Sequence, residues 1–270
     1  MVAADPSGAD WPGRYRHLLA SAGLNAESVI GQALQPHDLD RPALLSLAQC
    51  LERPELLQQQ LTKDYPDASN ARALRAYLSV TQQDLALSVI APLTLRLFRD
   101  GKSPLPDPQQ IFLGRAREGA TAARWFHAPS QPAVGLADFI GKLDELVTAW
   151  YPVFRQGFGV SPGAYWSSIG LGLGAPFSVV WNLADAEAVC NLAQAWLEEF
   201  ACGANRFVDW VPAEFSGRQC AIPQRKGCCL KYLLPEGGYC GTCGIYRKAR
   251  LAETSRRSRS PAPDQRLPAQ

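Results

Sequence analysis

Four cysteines near the C-terminus constrain this 270-residue chain more than any other feature, because four thiols that share one site must be brought together by the fold. Cys228 and Cys229 are adjacent, and ten residues separate them from a Cys-Gly-Thr-Cys motif formed by Cys240 and Cys243. Thiolates are ligands that both iron and zinc accept, and so compact a set of four is typical of a metal centre. The sequence therefore predicts a metalloprotein with these four cysteines as ligands.

The two halves of the cysteine set differ in geometry. A Cys-x-x-Cys turn presents two sulfurs to one metal, and glycines at 237, 238 and 241 supply the backbone freedom that such a turn needs. Neighbouring side chains on a strand point to opposite faces, so Cys228 and Cys229 can share a site only where the backbone departs from a regular strand. Two irons offer adjacent acceptors, whereas a structural zinc favours spaced pairs. The vicinal pair thus favours iron and sulfur, with zinc as the alternative.

Composition and charge exclude several classes of protein. Hydrophobic residues make up 47% of the chain and charged residues 19%, which is typical of a globular protein. The formal net charge is +2, and its basic excess lies at the C-terminal end, so nucleic-acid binding by the folded part is not indicated. Neither a secretory signal nor an apolar run of about 20 residues is visible. We expect a soluble, cytoplasmic protein, in which the eight cysteines favour metal ligation over a disulfide framework.

Hydrophobic periodicity predicts a mainly α fold with minor β structure, an α+β protein whose helical body carries a small cysteine-rich C-terminal segment. Leucines recur at helical spacing over 41–63 and 74–89, and apolar residues share one face over 138–158 and 184–200. Ser161 followed by Pro162 predicts a helix start, since serine caps a helix and proline suits its first position.

The predicted organisation has four parts. Residues 1–10 and 251–270 have no apolar period and are expected to be disordered. Residues 11–215 form the helical body, with a hinge expected at 100–137, where prolines and glycines recur. Residues 216–250 form the cysteine-rich segment that binds the metal centre.

The other reactive residues have simpler interpretations. Cys50, Cys190 and Cys202 lie in helical stretches, where a free cysteine is usually a small core residue. Cys220 is an alternative ligand to one member of the vicinal pair. The run 169–176 contains Gly-x-Gly-x-Gly, which lacks the spacing of a dinucleotide-binding loop and predicts close packing between helices. No catalytic residue is predicted beyond the cysteine ligands.

The cysteines and their neighbours carry a resemblance to a known family. Arg225-Lys-Gly-Cys-Cys-Leu-Lys-Tyr, followed by Gly-Gly-Tyr-Cys-Gly-Thr-Cys243, resembles the C-terminal signature of the FhuF-type ferric siderophore reductases. In that family the Cys-Cys-x10-Cys-x2-Cys set ligates a 2Fe-2S cluster. The resemblance covers residues 225–243 and implies that the ligands are Cys228, Cys229, Cys240 and Cys243.

The resemblance implies an oxidoreductase that transfers one electron from a 2Fe-2S cluster to Fe(III) in a siderophore and releases Fe(II). The implied partners are a ferric siderophore, with hydroxamates favoured, and an electron donor such as a ferredoxin or a reductase. Arg225, Lys226 and Lys231 would raise the potential of a cluster or attract an acidic donor, unless they are only solvated flanking charges. Two other interpretations stay open, namely a zinc-stapled or non-redox siderophore-binding protein and a degenerate relative of the siderophore synthetases.

Overall fold

The computed structural model describes residues 10–34, 42–115, 123–215, 217–235 and 237–243. The termini that were expected to be disordered lie outside these ranges, apart from Asp10. Within the described ranges the fold is mainly helical with small sheets, and the predicted fold class is confirmed.

Helices occupy most of the described chain. They are α1 (Trp11–Ser21), α2 (Ala26–Ala33), α3 (Leu47–Glu52), α4 (Pro54–Asp64), α5 (Ala71–Leu85), α6 (Ala91–Asp100), α7 (Leu136–Pro152), α8 (Pro162–Leu173), α9 (Ala175–Ser178), α10 (Ala186–Glu198) and α11 (Ala204–Phe207). A wide π-helical turn at Ala86–Ile90 joins α5 to α6, and a second at Val153–Gly157 extends α7. Short 3-10 turns lie at Pro66–Ser69, Pro108–Gln110 and Lys231–Leu233.

Antiparallel pairs of strands account for the β structure. The strands are β1 (Ala43–Ser46), β2 (Lys102–Ser103), β3 (Ile111–Gly114), β4 (Arg124–His127), β5 (Val134–Gly135), β6 (Val208–Phe215) and β7 (Arg218–Arg225). One sheet has the order β1-β3-β4, while β2 pairs with β5 and β6 with β7. Strands β2 to β5 all fall within 100–137, and β3 is tied to the body through its pairing with β1. A hinge in this stretch stays a prediction.

The apolar run over residues 71–100 forms one continuous helical rod. Asn70 caps its start by accepting a hydrogen bond from the Arg72 N–H, and Gly101 ends it at φ 70°. The π turn stands directly before Pro92, where a wider turn accommodates the missing proline N–H. Val89 and Ile90 are buried there, so the π-helical turn in the middle of the rod packs into the core.

Helix α8 lies at the centre of the molecule, and all of its residues from Ala164 to Leu173 are buried. Ser161 caps it and Pro162 opens it, as the sequence predicts. A Cβ added at Gly172 would lie 2.8 Å from the Ala86 carbonyl oxygen, so this glycine permits close contact between helices. The predicted packing role of the glycine run is confirmed. Among the described residues, no helix is long and apolar enough to cross a membrane.

Aromatic side chains from distant parts of the chain form the core. Phe98 makes edge-to-face contacts with Tyr15, Phe177 and Trp196 at centroid distances of 5.0 to 5.6 Å. Such pairs add to the stabilisation from buried apolar area. The contacts join α1, α6, α9 and α10 around one centre.

The β6–β7 hairpin carries the chain from the helical body to the cysteines. Its strands pair in register from Phe215 opposite Arg218 at the turn to Val208 opposite Arg225 at the far end. The turn end is held by a hydrogen bond of 2.7 Å from the Ala221 N–H to the Trp181 carbonyl. The expected boundary at residue 216 falls between the two strands, and the division into body and segment stays a prediction.

Candidate metal centre

The cysteine segment begins where β7 ends. Two backbone hydrogen bonds attach this point to its surroundings, one of 3.1 Å from the Arg225 N–H to the Thr242 carbonyl and one of 2.9 Å from the Lys226 N–H to the Phe207 carbonyl. The first bond brings the Cys-x-x-Cys turn beside the end of the strand. The two halves of the cysteine set therefore meet although ten residues separate them in the sequence.

The backbone leaves the regular strand at the vicinal pair, as the sequence predicts. Leu230 adopts φ 61°, and it is the single non-glycine residue with positive φ in the described ranges. Its N–H points back at the Sγ of Cys228, at 3.3 Å. A left-handed conformation costs a leucine roughly 1–2 kcal/mol. Such strain next to the two cysteines indicates that the surrounding fold fixes the backbone here and, with it, the positions of both thiols.

The second half of the set is a tight turn. The Cys243 N–H donates to the Cys240 carbonyl at 3.0 Å, and the Thr242 hydroxyl lies 3.8 Å from the Sγ of Cys240. Gly238 takes φ 58°, whereas a Cβ at Gly237 would overlap the Lys231 carbonyl oxygen. Gly238 uses the backbone freedom that was expected of the three glycines, whereas Gly237 and Gly241 do not have a positive φ, and Gly237 instead leaves room for the Lys231 carbonyl.

The two halves contact each other through Cys229 and Cys240. The thiol of Cys240 donates a hydrogen bond to Cys229, which lowers the pKa of Cys229 to about 6; burial opposes this shift and the Arg225 charge supports it. The same hydrogen bond raises the pKa of Cys240, and burial adds to that rise. The lowered pKa of Cys229 and the raised pKa of Cys240 both follow from this one contact between the two halves of the set.

Two of the cysteines face the surface and two are covered. Cys228 and Cys240 are partly exposed, while Cys229 and Cys243 are 3% and 6% exposed. Burial also raises the pKa of the Cys228 thiol. Within the described ranges, no three His, Cys, Asp or Glu side chains surround one point as ligands of one ion would. A binuclear cluster requires two thiolates on each iron and not four around one point, so an arrangement in which Cys229 and Cys240 are in contact is compatible with it.

The start of helix α8 forms the floor beneath this segment. A Cβ at Gly163 would lie 3.0 Å from the Cα of Gly227, and a Cβ at Gly227 would overlap the backbone carbonyl group of Gly163. The two backbones therefore touch with no side chain between them. The first turn of α8 is thus packed directly against the residue before Cys228.

The three cations near the cysteines differ in their environments. Arg225 is 1% exposed, and its guanidinium donates to Ser167, Ser168 and a carbonyl of α8. Lys226 is half exposed and forms an ion pair of 2.7 Å with Asp209, and Lys231 is exposed. The description of flanking solvated charges fits Lys231 and largely Lys226, but it is wrong for Arg225.

Three of the remaining cysteines lie outside the segment 216–250. Cys50, Cys190 and Cys202 are 0%, 4% and 7% exposed, and burial raises the pKa of each thiol. Their prediction as core residues is confirmed. Cys50 and Cys190 lie in helices α3 and α10 as expected, but the expected helical position is wrong for Cys202, which lies in a bend between α10 and α11. Cys220 is buried on β7 opposite Ala213, five positions before Arg225, a separation of roughly 16 Å along a strand.

One sizeable cavity in the described part of the molecule does not adjoin the cysteines. It is an open groove of about 880 Å³ between α1 and α10, and Arg14, His17, Asp185 and Leu192 are among its lining residues. None of the four cysteines lines it. This groove is near Trp181 and the turn of the hairpin, whereas the cysteines follow the opposite end. The cysteine segment itself exposes Tyr232 and Tyr239, whose rings stack at 5.4 Å.

Sequence reasoning missed the support that α8 gives to the site. Ser167, Ser168 and Gly163 have no motif and lie far from the cysteines in the sequence. One signal was available for Arg225, because it shares a strand face with Ala221 and Pro223, and this face of β7 is buried. An arginine on an apolar face of a strand predicts a buried partner for its charge.

Comparison with known proteins agrees with the chemistry of this segment. Residues 225–243 match the family model described as the FhuF 2Fe-2S C-terminal domain. The match contains all four cysteines and Arg225, and it confirms the resemblance over this short stretch. No curated protein and no solved structure gives a match. The matched segment supports an iron-sulfur protein that is related to siderophores.

Proposed function

We propose that this protein is a ferric siderophore reductase that contains a 2Fe-2S cluster held by Cys228, Cys229, Cys240 and Cys243. The observation that carries the proposal is the meeting of the vicinal pair with the Cys-x-x-Cys turn inside the segment that matches a 2Fe-2S domain. We also propose a cytoplasmic location, and a body at 11–215 that supports the cysteine-rich segment 216–250.

The donor set suits this cofactor. Cysteine thiolates are the usual ligands of iron-sulfur clusters, and a 2Fe-2S cluster takes up and gives out one electron at a time. Cys229 and Cys240 lie against each other, so one ligand from each half of the set is already close to the other. The strained backbone at Leu230 fixes the position of Cys228 beside the other ligands.

The exposure of Cys228 and Cys240 supports electron transfer to a partner at the surface. Fe(III) in a siderophore accepts one electron, and Fe(II) is then released because hard hydroxamate oxygens favour the ferric ion. No siderophore bond needs to break. The electron is replaced by a low-potential donor of the ferredoxin or reductase class.

Hydroxamates are the siderophore class that we favour, and a donor with an acidic surface would suit the exposed Lys231. Tyr239 directly precedes the partly exposed Cys240, and its ring stacks on that of Tyr232. An amphipathic siderophore finds there both apolar contact area and polar hydroxyl groups.

The test begins with protein purified without air. We expect a coloured protein that contains two irons and two acid-labile sulfides for each chain, and a paramagnetic resonance signal after reduction with dithionite. Addition of a ferric hydroxamate should remove this signal as Fe(II) appears. A colourless protein with one bound zinc would refute the proposal in favour of a zinc-stapled segment, and a signal that persists beside bound ferric siderophore would refute the reductase activity.

Cysteine variants test the ligands separately. Cys229→Ser and Cys243→Ser should abolish or strongly alter the spectrum of the cluster, because each removes a thiolate. Cys190→Ser is the matched control, since Cys190 is also buried but lies on α10, and it should leave the spectrum unchanged. If Cys229→Ser keeps the native spectrum, Cys220→Ser is the next variant to examine.

A further inference from the structure

Arg225 is a buried cation whose charge lacks a carboxylate partner. Its Nε donates to the Ser167 hydroxyl at 2.9 Å, and its Nη2 donates to the Ser168 hydroxyl at 2.9 Å and to the Ala164 carbonyl at 3.1 Å. Its Nη1 is buried and has no hydrogen-bond partner. In the described part of the chain, no Asp or Glu forms an ion pair with it. Such a buried charge is costly unless a negative group balances it.

The groups that can balance this charge are the cysteines. Arg225 stands three residues before Cys228, and its backbone N–H is bonded to the turn that contains Cys240 and Cys243. A cluster with four thiolates carries a negative charge and becomes more negative when it gains an electron, so a fixed cation beside it favours the reduced state.

We infer that Arg225 is the counter-ion of the cysteine site and that its free Nη1 donates a hydrogen bond to a sulfur there, so that it sets the reduction potential. This inference rests on the proposed function. Arg225 acts as a positioning residue, since Ser167, Ser168 and Ala164 hold the guanidinium in one orientation. The neighbouring first turn of α8 directs the positive end of a helix dipole to the same place.

The other two cations cannot replace Arg225. Lys226 is paired with Asp209 in solvent, and a half-exposed ion pair is strongly screened. Lys231 is exposed as well. If the guanidinium serves only to join β7 to α8 through Ser167, Ser168 and Ala164, the reduction potential will not depend on its charge.

The experiment is a redox titration of the loaded protein, followed by its absorption and paramagnetic resonance. Arg225→Gln should shift the reduction equilibrium at least tenfold toward the oxidised state, which is about 59 mV for one electron. Arg225→Lys keeps the charge and should restore most of the potential. Lys226→Gln is the matched control from the next position and should change the equilibrium less than twofold. If the reduction equilibrium of Arg225→Gln stays within twofold of that of the wild type, the inference is overturned.

A second variant covers the case in which Arg225→Gln does not fold. Ser167→Ala combined with Ser168→Ala leaves the charge in place but removes two of its three anchors. A guanidinium that is held less firmly stabilises the reduced state less, so the equilibrium should shift at least threefold toward the oxidised state. An unchanged potential would overturn the inference. The iron and sulfide contents of the wild type are measured first. If both are absent, the proposed function itself is refuted, which is distinct from a failure of the inference about Arg225.

Discussion

Gly227→Ala should separate the cysteine segment from helix α8. The Cβ of the alanine would overlap the carbonyl group of Gly163, and the obstacle is backbone and not the end of a flexible side chain. Neither side can yield by a rotamer change. Gly163 lies in the first turn of a helix that is buried from Ala164 to Leu173, so we expect the residues around Cys228 to move.

The expected loss of stability in Gly227→Ala follows from the contacts between the cysteine segment and α8. Relief of the overlap requires a displacement of about 1 Å, which is an overpacking change of a kind that costs about 1–3 kcal/mol. The guanidinium of Arg225 is bound to the same turn of α8, and loss of one hydrogen bond to a charged group costs roughly 1.5–3 kcal/mol. Allowing for partial relaxation, the unfolding free energy should fall by about 2–4 kcal/mol, and Tm by about 5–10 °C.

Gly241→Ala is the matched control. It lies in the same segment, its Cβ would meet nothing within 4 Å, and its φ is not positive. Urea unfolding of wild type, Gly227→Ala and Gly241→Ala compares the three free energies, and the content of iron and sulfide reports whether the site still forms. If Gly227→Ala loses no more stability than Gly241→Ala, the packing of the cysteine segment on α8 is refuted.

Three further predictions concern the body. The pKa of His127 is lowered to about 4 by burial and then by the charge of Arg96, so the unfolded state binds a proton more readily than the folded state. The unfolding free energy measured in urea should therefore fall by about 1–2 kcal/mol as the pH decreases from about 6.5 to about 4. His127→Gln should flatten that dependence, and an unchanged slope would contradict the assignment. Gly141→Ala, inside α7 where a Cβ meets nothing within 4 Å, should raise the unfolding free energy by about 0.5–1 kcal/mol, because alanine is the better helix former. Gly172→Ala should instead lower the unfolding free energy by at least about 1 kcal/mol, because the new Cβ would lie 2.8 Å from the Ala86 carbonyl oxygen. Thermal unfolding of Gly141→Ala and Gly172→Ala checks that the two changes in stability have opposite signs.

Local patterns in the sequence were sufficient for much of the fold. The cap at Ser161 acts as predicted because capping depends on residues within one turn. The glycine run of α8 was recognised as packing because its spacing does not fit a nucleotide loop. The helical prediction over 41–63 is wrong for residues 43–46, which form strand β1. Its pairing with β3 was not predicted either, since the paired residues are 66 to 71 positions apart in the sequence and only the tertiary fold brings them together.

The sequence by itself determined the chemistry of the candidate site. Residue type and spacing identify Cys228, Cys229, Cys240 and Cys243 as one set, and they require a departure from strand geometry that the structure has at Leu230. Only the tertiary structure decided the environment of the set. The burial of Arg225 and its anchors on α8 depend on contacts between residues 57 to 61 positions apart. No local pattern encodes such contacts, because the cost of burying a charge depends on which groups surround it after folding.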